Sequence, residues 1–242
     1  MKTILITGAS RGIGRDAAIL CAGKGWSVGI NYAENKGAAE ETANEARKAG
    51  GKAVTIKGDV AVEADVLAVF DATEKAFGPL SGVVINAGIV APSQRLAEMS
   101  ADRLRRIFEV NVLGAYLCAR ESARRLGAGG SIVLLSSAAA RLGAPFEYVD
   151  YAGSKGAIDT LTTGLAKELG PQGVRVNAVR PGLIETDIHA SGGEPDRAWR
   201  IGKTTPLGRP GAAREVAEAI LWLLSDASSY VTGAHLDVSG GR

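Results

Sequence analysis

The feature that most restricts the fold is a repeated alternation of short, continuous apolar runs with stretches of helical spacing. The runs are Ile4-Leu5-Ile6, Ser27 to Ile30, Ala53 to Ile56, Gly82 to Ile85, Ser131 to Leu135, Val174 to Val179 and Ala234 to Val238. A strand with one wet face alternates apolar and polar residues, whereas a strand covered on both faces stays apolar throughout, as in a parallel sheet. Between the runs, stretches such as Gly37 to Lys48 and Glu215 to Leu224 carry helix formers at helical spacing. Seven such runs joined by helical crossovers predict a doubly wound, Rossmann-type α/β fold: a seven-stranded parallel sheet with helices on both faces.

Composition alone admits one large domain or two small ones, with 242 residues, 46% hydrophobic and 22% charged. No Pro/Gly-rich linker, low-complexity tract or internal repeat divides the chain, so residues 1–242 read as a single domain. The least regular stretch, Leu183 to Gly211, holds three prolines and the Gly192-Gly193 pair. It reads as a mobile insertion at about 183–211, of the kind that serves as a lid.

A formal net charge of +2, with no stretch rich in Lys and Arg, argues against nucleic acid or an anionic membrane as partner. Cys21 and Cys118 lie far apart and without metal-ligand spacing, which predicts neither a disulfide framework nor a metal site and fits a reducing, cytoplasmic setting. The apolar run after Met1-Lys2 is too short for a signal peptide, and no later run is long enough to span a bilayer.

Two patterns carry chemistry. The first strand enters Thr7-Gly8-Ala9-Ser10-Arg11-Gly12-Ile13-Gly14, and Arg15 to Ala22 reads as helix. Glycines at a strand-to-helix turn let the backbone approach a pyrophosphate, which the helix N-terminus favours through free amides and dipole. The spacing is Gly-x3-Gly-x-Gly, which departs from the better-known Gly-x-Gly-x2-Gly, so a turn used only for tight helix-strand packing is the alternative. The second strand ends in Asn31-Tyr32, without an acidic group for a ribose diol, and Arg11 is available for a 2′-phosphate. This favours NADP(H), with NAD(H) as the alternative if Arg11 is only a solvated surface arginine.

In the second pattern, Tyr151 and Lys155 stand four residues apart, which on a helix stacks phenol and ammonium on one face. A nearby cation favours the phenolate, which an unperturbed tyrosine, with a pKa of about 10, scarcely populates near neutrality.

Taken together, Thr7 to Gly14, Asp59-Val60, Asn86-Ala87-Gly88, Asn111, Ser137, Tyr151-x3-Lys155 and Pro181-Gly182 resemble the short-chain dehydrogenase/reductase family over essentially the whole chain. The runs Arg141 to Gly143, Tyr148 to Tyr151 and His189 to Pro195 resemble its glucose-dehydrogenase-like bacterial subgroup. The resemblance implies a hydride-transferring oxidoreductase that interconverts a secondary alcohol and a ketone. It gives Tyr151 the role of acid or base, Lys155 that of ribose ligand and pKa modulator, Ser137 that of substrate-oxygen donor and Asn111 that of water holder. It places Gly8, Ser10, Arg11, Gly12, Ile13, Gly14, Asn31, Tyr32, Asp59, Val60, Asn86, Ala87, Gly88, Pro181, Gly182, Ile184 and Thr186 along the cofactor. Two departures stand out: Ile85 replaces an asparagine, and fourteen positions rather than the commoner thirteen separate Ser137 from Tyr151.

The resemblance also implies a small-molecule substrate and a homotetramer. Reduction of 3-oxoacyl thioesters on acyl carrier protein is an alternative within it. That activity wants arginines where this chain has Ala128 and Gln172, although Arg124 and Arg125 lie near. A non-catalytic nucleotide sensor is the alternative outside enzymes. The resemblance also puts Phe146, Glu147, His189, Arg197, Trp199 and Arg200 beside the substrate, with a solvated helix face as the equal alternative.

Overall fold

A computed structural model describes residues 2–242. Seven strands form one parallel sheet: β1 (Thr3–Ile6), β2 (Ser27–Tyr32), β3 (Lys52–Lys57), β4 (Gly82–Ile85), β5 (Ser131–Leu135), β6 (Arg175–Pro181) and a last strand (His235–Val238), here β9. Their order is β3-β2-β1-β4-β5-β6-β9, so successive strands are added in one direction from β1 to β3 and in the opposite direction from β4 onward, with the switch between β1 and β4. Doubly wound sheets open a ligand crevice at that point, beyond the carboxyl ends of the strands.

The alternation in the sequence is explained by the two covered faces. In β1, Ile4 and Ile6 face helices α1 (Gly12–Gly23), α2 (Lys36–Lys48) and the late helix Ala213–Leu224, whereas Leu5 faces the opposite layer. That layer is built on α3 (Glu63–Phe77), the helix Gly114–Arg125 and the long helix Val149–Leu169. Cys21 lies in the first core layer and Cys118 in the second, and burial pushes both thiols up to about 12. Among the described residues, no helix is long and apolar enough to cross a membrane.

Two stretches differ from their sequence-based reading. The helix-like stretch Ile107 to Arg120 is three pieces: α4 (Ala101–Phe108), a π-helical turn (Glu109–Leu113) and α5 (Gly114–Arg125). A π turn inserts one residue into an otherwise continuous helical period, which hydrophobic spacing does not register. After α6 (Ala139–Leu142) and α7 (Val149–Leu169), the stretch expected to be irregular holds β7 (Ile184–Glu185), α8 (Ile188–Ser191) and α9 (Arg197–Gly202). Strand β7 pairs in parallel with β8 (Gly211–Ala212), closing the base of the segment just ahead of α10 (Ala213–Leu224). Elements of one or two turns are too short to leave a period in the sequence.

Candidate active site

The glycine turn sits at the carboxyl end of β1, on the line where the sheet reverses. Gly8 and Gly12 both adopt left-handed backbone, with φ of 61° and 56°. A Cβ on Gly8 would lie 2.9 Å from the Ala87 Cα, so only glycine lets the loop after β4 close against the turn. Asn86 is the strut between them: its Nδ2 donates to the carbonyls of Thr7 at 2.8 Å and Gly8 at 2.9 Å. The Thr7 hydroxyl, which the sequence reading did not single out, accepts the N–H groups of Asn86 and Ala87 at 3.0 and 3.1 Å.

Asn31 has a structural task and does not simply end the strand toward a ligand. Its Oδ1 accepts the Gly8 N–H at 3.2 Å, and its Nδ2 donates to the Gly58 carbonyl at 3.0 Å. Tyr32 is likewise buried in the core beside α1 and α2. Past β2 the residues Ala33 to Gly37 are exposed, Glu34 and Lys36 among them, and Arg11 is exposed on the turn. Ser10 and Ile13 are partly open there, and the Ser10 carbonyl accepts the Thr42 hydroxyl at 3.2 Å.

From the far side, Thr186 comes across to the turn, its Cγ2 lying 3.5 Å from where a Gly12 Cβ would stand. Ile184 is buried, and Gly182 packs so closely on Ser239 that a Cβ would fall 2.7 Å from the Ser239 Cα. Pro181 accepts the Ala138 N–H at 2.9 Å, which ties this loop to the serine-bearing end of β5. Asp59 accepts the Ala61 N–H at 2.9 Å, and Arg106 approaches its other oxygen at 3.3 Å. Val60 is buried against Gly114.

The candidate catalytic residues lie together where α7 passes the end of β5. Lys155 is 4% exposed, donates from Nζ to the Leu135 carbonyl at 2.7 Å, and lies 5.7 Å from the Tyr151 ring centroid. The predicted helical stacking is therefore present. Burial pulls the ammonium down to about 8, against the opposing pull of Asp159 one turn along the helix. The Tyr151 phenol, half-buried, moves up from its ordinary value because desolvation outweighs hydrogen bonding with the Ser137 hydroxyl. The direction is opposite to the lowering expected from Lys155, because burial raises the cost of the phenolate more than its surroundings offset it. A phenol held neutral at neutral pH is suited to donating a proton.

Ser137 accepts the Ala139 N–H at 3.1 Å, which occupies a lone pair and leaves its proton to donate. Its neighbour Ser136 is buried and turned to the Lys155 carbonyl at 3.2 Å, so Ser137 is the serine that meets Tyr151. Asn111, in the π turn, is fully engaged: Oδ1 accepts the Ile89 N–H at 2.8 Å, and Nδ2 donates to the Ile89 carbonyl at 2.9 Å and the Ser154 hydroxyl at 3.1 Å. The Ser154 hydroxyl in turn donates a hydrogen bond to the Tyr151 carbonyl at 2.7 Å. Sequence reasoning missed Ser154, whose only sign is its place between Tyr151 and Lys155.

Gly88 opens a gap between these groups. A Cβ there would lie 3.3 Å from the Asn111 Oδ1 and 3.4 Å from the Lys155 Nζ. Between α7 and the segment 183–211, the Tyr148 hydroxyl donates to Glu194 at 3.0 Å, and burial with this carboxylate raises the phenol to about 12. Arg197 pairs with Glu147 and lies 5.1 Å from the Tyr148 ring centroid, while Arg200 pairs with Glu194. Phe146 is exposed and left-handed, with φ of 68°, in the loop that carries the extra residue before Tyr151. His189 bonds the Ile184 carbonyl at 2.9 Å, and Trp199 donates to Glu185 at 3.1 Å. A cavity of about 620 Å³ opens beside the loop after β4, lined by Val90, Pro92, Gln94, Arg103 and Ile107 among others. Neither Tyr151 nor Ser137 lines it, so the site is defined by the side-chain constellation and not by this cavity.

Residues 8–242 match the family described as Enoyl-(Acyl carrier protein) reductase. The uncharacterized oxidoreductase YgfF of Escherichia coli K12 is 50% identical over 247 residues, covering 100% of both chains. An L-rhamnose 1-dehydrogenase (NAD(P)(+)) of Sphingomonas is 40% identical, covering 99% of this chain and 95% of that protein. The chain belongs to the short-chain dehydrogenase/reductase family. As a short-chain dehydrogenase/reductase it is an oxidoreductase, and its backbone follows solved members closely. A short-chain dehydrogenase from Burkholderia cenocepacia J2315, in complex with NADP, superposes with a TM-score of 0.93 at 32% identity, covering 99% of this chain and 97% of that one.

Proposed function

We propose that this chain is an NADP(H)-dependent oxidoreductase interconverting a secondary alcohol and a ketone, with Tyr151 as the acid in reduction and the base in oxidation. The observation that carries the proposal is the convergence of Tyr151, Ser137 and a buried, cationic Lys155 at one end of the sheet. When bound, a nicotinamide supplies or takes up the hydride. Tyr151 gives its phenolic proton to the carbonyl oxygen, and Ser137 donates a hydrogen bond to the same oxygen as negative charge develops there. Lys155 binds ribose hydroxyls and, through its charge, eases the loss of the Tyr151 proton. Asn111 and Gly88 border the space through which a water can recharge Lys155.

The glycine turn fits a dinucleotide: α1 begins at Gly12, so the first N–H groups of that helix lack helical partners, and Thr186 faces the same turn. Exposed Arg11 supports NADP(H), as does the NADP carried by the Burkholderia neighbour, whereas Glu34 just past β2 leaves NAD(H) open to direct comparison. Leu183 to Gly211 acts as a lid over the substrate, tethered through Glu194 to Tyr148 and through Arg197 to Glu147. A homotetramer is supported by exposed Phe108, Leu113 and Tyr116, the Phe108 ring lying 3.9 Å from where a Cβ on Gly153 of α7 would stand, and by the open space beside Gly156 and Gly164 of the same helix.

Acyl carrier protein is disfavoured as a partner because the nearby arginines are already paired. Arg124 meets Glu121 at 2.7 Å, and Arg125 meets Asp71 and Glu74 at 2.7 and 2.8 Å. A screen of ketones, sugars and acyl carrier-protein thioesters, with NADPH and NADH side by side, tests cofactor and substrate together. Tyr151→Phe is expected to lower kcat at least 10²-fold. Unchanged turnover in that variant would remove the catalytic assignment.

A further inference from the structure

We infer that Arg103 and Asp150 form a positioning device that fixes Tyr151 against the loop after β4. The inference rests on the catalytic reading of Tyr151 above. Neither residue belongs to the constellation already described, and they lie 47 positions apart in the chain.

The pair is built from local structure upward. Ser100 caps α4 by accepting the Arg103 N–H at 3.2 Å, which sets Arg103 in the first turn of that helix. Asp150 stands in the first turn of α7, where a carboxylate complements the helix dipole and the backbone N–H groups lack helical partners. Its Oδ1 accepts the N–H of Tyr151 itself at 2.9 Å. The guanidinium of Arg103 reaches the same carboxylate through Nε at 2.8 Å and Nη2 at 3.3 Å. Its remaining nitrogen, Nη1, donates to the Pro92 carbonyl and to the Gln94 side chain. Gln94 in turn donates its N–H to the Glu147 carbonyl at 2.9 Å, just ahead of α7.

One guanidinium thus ties three segments: α4, the loop running from Gly88 past Gln94, and the backbone of the reactive tyrosine. Asp150 is 1% exposed at its side chain and Arg103 11%, so the pair is almost wholly removed from water. A buried ion pair is a poor way to gain stability, since apolar residues of similar volume often serve as well or better. What the planar fork supplies is direction, because its donors leave in fixed orientations. Lysine has the charge but not the fork. Val90, in the same loop, packs where a Gly192 Cβ would lie, 3.4 Å away, so the setting of this loop also reaches the segment 183–211.

The test compares Arg103→Gln, Arg103→Lys, Asp150→Asn and the Arg103→Gln/Asp150→Asn double variant with the unaltered chain and Tyr151→Phe. Each is assayed for NADPH-dependent reduction of diacetyl, or of whichever screened carbonyl turns over fastest, and for NADPH affinity by nicotinamide fluorescence. Misplacement of a reacting group by about 1 Å costs on the order of 10²-fold in rate. Arg103→Gln is therefore expected to lower kcat roughly 10–100-fold while leaving NADPH affinity within about twofold. Arg103→Lys should fall between it and the unaltered chain. The double variant, a neutral amide pair that keeps an acceptor for the Tyr151 N–H, should regain part of the loss.

If Arg103→Gln does not fold, Arg103→Lys and the double variant carry the same comparison. An unchanged kcat in the folded variants, or a loss matched by an equal loss of NADPH affinity, would overturn the positioning role. If Tyr151→Phe also keeps its activity, the catalytic reading fails first; if only the Arg103 variants do, the positioning role alone fails.

Discussion

Replacing Gly88 by alanine probes the gap between Lys155 and Asn111 with a single methyl group. The new Cβ would stand 3.3 Å from the Asn111 Oδ1 and 3.4 Å from the Lys155 Nζ, so one of them must yield by a few tenths of an ångström. Asn111 is held by three hydrogen bonds and Lys155 by one at Nζ, to the Leu135 carbonyl, so the lysine is the group that moves. Gly88 does not adopt left-handed backbone, and alanine therefore gains about 0.4–1 kcal/mol by restricting the unfolded chain. Against this stands an overpacking cost of about 1–3 kcal/mol. The difference spans about 0–2.6 kcal/mol, and its middle value of roughly 1.3 kcal/mol lowers Tm by about 3–5 °C for a chain of this length.

Catalysis should suffer more than stability. A displaced Lys155 no longer sets the ribose and the phenol together, and a methyl group fills the space assigned to water. We expect kcat to fall roughly 10–100-fold, measured by NADPH oxidation with the carbonyl found in the screen. Gly127→Ala is the control, because a Cβ at Gly127 meets nothing within 4 Å. A Gly88→Ala protein with kcat within twofold of the parent would refute the reasoning, since it would show that the gap has no part in the reaction.

The sign of the Lys155 contribution to stability also follows from its surroundings. Its folded pKa of about 8 lies below the ordinary value of 10.5, so the group costs stability in full below pH 8, and the cost fades as pH rises toward 10.5. Lys155→Met should abolish turnover yet stabilise the protein on the order of 1–3 kcal/mol at pH 7, with the difference shrinking at pH 10. Urea unfolding of both proteins at the two pH values checks this; an equal gap at both would contradict it. Tyr148→Phe removes the hydroxyl that holds Glu194, and about 1 kcal/mol of tethering with it. Faster amide exchange across residues 188–202 and a raised substrate KM are expected, whereas unchanged exchange would show that the tether does not restrain the segment.

The fold and the grouping of Tyr151 with Lys155 in the candidate site were legible in the sequence because their signals are local. Continuous apolar runs report strands covered on both faces, and all seven appear in the sheet. The Tyr151-Lys155 spacing places both groups on one helical face whatever surrounds them. Other features depend on groups distant in the chain, and there the sequence was silent or misleading. Asn31 is a strut for the glycine turn because β2 sets its amide between Gly8 and Gly58. The π turn that presents Asn111 to Ile89 leaves no mark on hydrophobic spacing. The two short helices between Leu183 and Gly211 are ordered by partners outside their own period, Tyr148 and Glu147 among them.

By itself, then, the sequence determined the layered parallel sheet and the stacking of Tyr151 with Lys155 on one helical face, because periodicity and i,i+4 spacing are properties of the chain alone. Only tertiary structure decided the direction of the Tyr151 shift, since burial is a sum over every neighbouring segment. It likewise decided that Arg103, 47 residues upstream of Asp150, meets the carboxylate that holds the Tyr151 backbone. Contacts between distant elements are set by how the helices pack on the sheet, and no local pattern of residues encodes them.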